Sequence, residues 1–74
     1  MRGYIITITD TSTGEVEYYV GRNLLTSPNL ISSKIYSVHS VAARARPFSV
    51  IKKWPGIFGH LEAKINTVEV TVVA

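Results

Sequence analysis

Basic and aromatic side chains interleave through the middle of the chain: Lys34, Tyr36, Arg44, Arg46, Lys52, Lys53, Trp54 and Phe58. Cations neutralise phosphates and exposed rings stack on bases, so this mixture is the physical recipe for holding a single strand of nucleic acid. Lys34, Arg44, Arg46, Lys52, Lys53 and Trp54 are the residues that would carry such a site. Between Lys34 and Lys64 six basic residues stand against Glu62 alone, a local balance of +5 in a chain of net charge +3. A modest basic excess also serves solubility. At about 100° per residue along one continuous helix, Arg44 falls on one flank of an apolar stripe and Arg46 and Lys53 on the other, where charges bordering a buried face belong. Trp54 and Phe58 are expected in the core, which such a small chain must fill with its large rings. Nucleic-acid binding through the 34–64 segment is therefore the second reading of this chain, not the first.

Other chemistry is poorly supplied. His39 and His60 are the only histidines, and Glu62 is the one ligand-type neighbour, whereas a zinc site needs three or four protein ligands. Asp10 and Glu15 flank a turn, and Glu17 and Glu69 read as outward strand positions, so no carboxylate pair is expected in a cleft where its pKa would shift. No serine stands in a G-x-S-x-G elbow. Gly56 and Gly59 form G-x-x-G without the Lys-Ser or Lys-Thr continuation of a phosphate loop. The pattern resembles the backbone clamp of KH domains, but that clamp joins two helices and here a strand follows. No catalytic residue, metal or cofactor is expected.

Few elements are available to position these side chains. Tyr4, Ile6 and Ile8 alternate with Ile5, Thr7 and Thr9, a period of two rich in β-branched residues that predicts a strand. A second strand is predicted over 16–20, with Val16, Tyr18 and Val20 on the core face and Glu17 and Tyr19 opposite. Asp10 to Glu15 joins them as a hairpin loop, with Gly14 supplying a positive φ. Residues 21–33, rich in Ser and Asn and containing Pro28, read as a loop whose Leu24, Leu25, Leu30 and Ile31 pack down over the core. Lys34 to Tyr36 is a candidate short strand. Ser37 or Ser40 is expected to cap a helix that buries Val38, Val41, Ala42 and Ala45. Pro47 either kinks this helix or opens a second short one in its first turn. Pro55-Gly56 ends it, Gly59 to Lys64 turns, and a last strand runs from Ile65 to Val73, burying Val68 and Val70.

This order, hairpin, covered loop, helix, strand, predicts an α+β fold: a small antiparallel or mixed sheet of N-terminal hairpin plus C-terminal strand, with one helix packed on one face. At 74 residues and 8.2 kDa, residues 1–74 form a single domain. With no cysteine there is no disulfide to staple it, so tight packing or self-association must serve, and a reducing cytoplasmic location is expected. Neither an export signal nor the roughly 20 apolar residues of a membrane helix is present.

The run Tyr4-Ile5-Ile6-Thr7-Ile8-Thr9-Asp10-Thr11-Ser12-Thr13-Gly14-Glu15, followed by Tyr18-Tyr19-Val20-Gly21-Arg22, an alanine-containing helix and a valine-rich final strand, resembles small uncharacterised phage and prophage proteins of Gram-positive bacteria. Pro47 and Pro55 depart from the lysine- and glutamate-rich helix of those proteins. The resemblance implies an origin and supplies no site residues. The function expected first is a non-enzymatic accessory or protein-interaction domain. Its partner would be another protein or a second copy joined through a sheet edge.

Overall fold

The most β-prone stretch of the chain becomes the middle of its sheet. In this computed structural model, which describes residues 2–23 and 25–70, strand β1 is Arg2–Asp10, β2 Val16–Tyr19, β3 Thr26–Ser27 and β4 Leu61–Glu69. All pairings are antiparallel, in the order β3-β2-β1-β4. Three short helices, α1 His39–Ala43, α2 Arg46–Lys53 and α3 Pro55–Phe58, join β3 to β4, after a single 3₁₀ turn at Leu30–Ser32. The fold is α+β: a four-stranded antiparallel sheet with a bent helix laid on one face.

The N-terminal hairpin closes as the residue types demand. The Ser12 amide and hydroxyl both donate to Asp10 Oδ1, the Gly14 amide donates to the Asp10 carbonyl at 2.7 Å, and Gly14 takes φ +78°. The register Thr7↔Tyr18 and Ile8↔Glu17 then puts Glu17 and Tyr19 on the helix side, opposite to expectation. Val16 is exposed and Tyr18 only half-buried, while Tyr19 is buried and its hydroxyl donates to the Asn23 carbonyl at 3.0 Å. The count of loop residues sets this parity, and a shift of one position sends every side chain to the other face.

Ile6, Ile8 and Tyr19 form the core, with Tyr36, Ala45, Phe48, Leu61, Ala63 and Ile65 packed against them. The helix breaks at Ala45, whose ψ of 152° is extended, and α2 starts afresh with Pro47 in its first turn. Of the two roles open to Pro47, it takes the second, and its ring is fully buried. Neither Ser37 nor Ser40 caps a helix: Val38 stands at the α1 N-cap without a side-chain bond. The break also ends the expected stripe, so Ala42 is buried and Val41 exposed.

The back of the sheet is covered too. Ile5 is 3% exposed, beside Val68 and the returning 30–35 segment. A Cβ added to Gly3 would sit 2.5 Å from Ile35 Cγ2, so this close approach requires glycine. Val68 and Val70 lie half-buried on this face, not on the helix face. Of the candidate short strand over Lys34 to Tyr36, Tyr36 alone bridges to Tyr4, through two 2.8 Å backbone bonds, whereas β3 falls in the stretch read as loop. The apolar side chains of that stretch are not buried as expected: Leu25 and Leu30 are half-exposed and Ile31 is 98% exposed, while Leu24 lies outside the described residues. Strand β4 starts four residues earlier than expected, at Leu61, and 71–73 lie outside the described residues.

Ile6 has no exposed surface, and truncating such a side chain to alanine costs about 2–5 kcal/mol, comparable with the whole stability of a small domain. Ile6→Ala is expected to abolish the cooperative melt seen by circular dichroism, while Val16→Ala leaves it nearly unchanged. The opposite ranking would overturn the strand faces.

Candidate functional site

Helix α2 shows different chemistry on two adjacent sides. At about 100° per residue, Arg46, Ser49, Val50 and Lys53 share one stripe, and Pro47, Val50 and Ile51 share the next. Val50 lies on the boundary.

The first stripe lines a shallow groove of about 580 Å³ with Arg44 and Trp54. Arg44, Arg46, Lys53 and Trp54 of the basic-aromatic set therefore converge, and the break at Ala45 is what brings Arg44 and Arg46 together. The continuous-helix reading that put them on opposite flanks fails for that reason. Trp54 is not a core residue: it caps α2, is 50% exposed, and carries Lys53 Nζ 5.7 Å from its ring centroid. Arg44 Nε donates to the Ser40 carbonyl at 3.3 Å. Lys52 stays exposed on α2 away from the groove. Lys34 is elsewhere, its stem against Gly21 and its ammonium 5.9 Å from the Tyr36 ring.

The second stripe lines a cleft of about 180 Å³ floored by Ile8, Pro47, Val50, Ile51, Phe58 and Leu61. Asp10, Glu15 and Glu17 stand on its lining, three of the chain's five carboxylates. Sequence reasoning scattered these acids over a turn and an outward strand face. The corrected parity of β2 turns Glu17 toward the helices and gathers them. The signal available was the alternation of Glu17 and Tyr19 with Val16 and Tyr18, which allowed either face. Hydrogen bonds from Ser12 hold the Asp10 carboxyl below the ordinary aspartate value, with the charge of His60 adding to the effect.

The remaining polar groups have local roles. His39 meets the Tyr4 ring edge-on at 5.4 Å, and the His60 carbonyl accepts from the Thr11 amide and hydroxyl. Burial and the neighbouring Tyr19 push the Tyr36 phenol up. Among the described residues no three His, Asp or Glu side chains converge to hold a metal, and no helix is long and apolar enough to cross a membrane. Comparison of the chain with protein-family models, with curated proteins and with solved structures gives no match.

Three cations in the groove set a ceiling on phosphate contacts. Each adds about 0.7 to the salt slope on single strands, so binding of an oligothymidine should be weak, with a log–log slope of about −2, and lost near physiological salt. Fluorescence anisotropy across a salt series measures this. Submicromolar binding that survives physiological salt and disappears when Arg44, Arg46 and Lys53 are all serine would contradict it.

Asp10 yields a second expectation. A carboxylate favoured in the folded hairpin contributes stability above its unfolded pKa, lost as pH falls through its lowered folded value. Ser12→Ala should return Asp10 toward the ordinary value in an NMR titration and shrink that acid-side loss.

Proposed function

We propose that this chain is a non-enzymatic accessory domain that works by protein contact, and that its own copies pair through the open edge of β4. The observation that carries this reading is the state of that edge. The Thr11 amide donates to the His60 carbonyl, and the β1–β4 register runs unbroken from Asp10↔Leu61 to Arg2↔Glu69. Antiparallel pairs alternate, so even-numbered β4 residues face β1, and Leu61, Ala63, Ile65 and Thr67 turn their amides and carbonyls outward. Among the described residues no strand pairs with this side.

Edges of this kind are normally blunted by proline, a bulge or charge. β4 has no proline, its continuous register leaves no bulge, and Lys64 and Glu62 pair with each other at 3.4 Å. Two copies joined there would form one eight-stranded sheet.

A second reading, weak nucleic-acid binding, draws on the convergence of Arg44, Arg46, Lys53 and Trp54 in one groove. It takes second place because Lys53 already lies against the Trp54 ring and because three cations give few phosphate contacts.

Ala63→Pro tests the first reading, since it removes an outward amide and leaves the bonds to β1 in place. Sedimentation velocity over a dilution series should show reversible self-association of the wild type and a folded Ala63→Pro variant that associates more weakly because its edge contact is lost. A wild type that stays monomeric at the highest concentration would sink the proposal.

A further inference from the structure

The acid-lined cleft and the basic groove lie side by side on α2, and neither satisfies the other within one chain. Among the described residues Asp10, Glu15 and Glu17 make no ion pair, and neither do Arg44, Arg46 and Lys53. Leaving both charge sets in water costs nothing in a monomer, yet the separation is orderly: carboxylates line one side of Val50, cations the other. Beside the cations stands the half-exposed indole of Trp54, and beside the carboxylates an apolar cleft.

Size indicates what kind of occupant the cleft takes. At about 180 Å³ it is smaller than the roughly 300–1,000 Å³ of typical small-molecule sites, and its apolar floor suits one anchoring side chain. Aromatic anchors in such pockets dominate protein interfaces, and opposite charges around them fix register. The groove of a second copy offers that combination, an exposed Trp54 among three cations.

We infer that the cleft of one copy receives the basic groove of another, about a two-fold axis running along α2 near Val50. An axis in that direction exchanges the two sides of the helix. The cleft of each copy then faces the groove of the other, and the charges are matched twice, as an isologous interface requires. This contact uses the helix layer, leaves the β4 edge free, and does not depend on edge pairing. A standard interface covers about 800 Å² per partner, roughly a seventh of the 5337 Å² surface of the chain.

The test is a charge exchange made in the Ala63→Pro background, so that edge pairing contributes nothing. Glu17→Lys places cation against cation twice in the homodimer, and Arg46→Glu places anion against anion twice. Each variant should self-associate at least about tenfold more weakly than the Ala63→Pro parent. An equimolar mixture should recover dimers, because the ammonium introduced by Glu17→Lys in one copy meets the carboxylate introduced by Arg46→Glu in the other, while the second Glu17–Arg46 pair is intact. Thermal melts confirm that each variant folds, and both changed residues are exposed. If proline at position 63 alone abolishes all association, dimerisation is by the edge only and the inference falls. It falls too if the mixture is no stronger than its components. A third outcome that overturns it is Arg46→Glu losing oligothymidine binding with self-association unchanged, which assigns the groove to nucleic acid.

Discussion

Everything in this domain hangs on β1 being hydrogen-bonded along both edges and covered on both faces. Its even-numbered residues bond toward β2 and Tyr36, its odd-numbered residues toward β4. Ile6 and Ile8 pack under the helices and Ile5 packs beneath the 30–35 segment. A strand so enclosed has to be apolar and β-branched on both faces, and the Ile5-Ile6-Thr7-Ile8 run meets that demand. Gly3 completes it, because a Cβ there would press against the Ile35 side chain of the returning segment.

The second constraint is the break at Ala45-Arg46-Pro47. A proline deep inside a helix would cost about 3 kcal/mol, and the chain avoids this by ending α1 and restarting with Pro47 in the first turn of α2. The restart resets the helical phase. Phe48 points into the core and Pro47 is buried, while Arg46 and Lys53 join Arg44 around Trp54. The groove and the α2 wall of the cleft thus both follow from one backbone irregularity.

A chain of this size buries only about 60% of the surface its unfolded form exposes, and no disulfide supplements its core. Val16, Leu25, Leu30, Ile31, Ile35, Val38, Val41, Trp54 and Ile57 are all close to half-exposed or more. Contact with another molecule would bury more of this apolar surface. Self-association would supply such contact, which gives the open edge and the matched charges of α2 a thermodynamic context.

The sequence by itself determined the strand at residues 4–9, the Asp10–Gly14 hairpin loop and the helix interrupted at Pro47, because period-two patterning, turn chemistry and the missing proline amide are local properties. It also marked Lys34, Arg44, Arg46, Lys52, Lys53 and Trp54, of which Arg44, Arg46, Lys53 and Trp54 meet in the groove. Only the tertiary structure decided the face of β2, since Val16/Tyr18 and Glu17/Tyr19 are both plausible inward pairs and the register against β1 selects one of them. That choice moved Glu17 to the helix side and so created the acid-lined cleft. Likewise the four basic and aromatic residues became one groove only through the phase reset at Ala45, which no continuous-helix projection contains. Where a side chain's direction hangs on the pairing of distant segments, local pattern leaves it open and packing settles it.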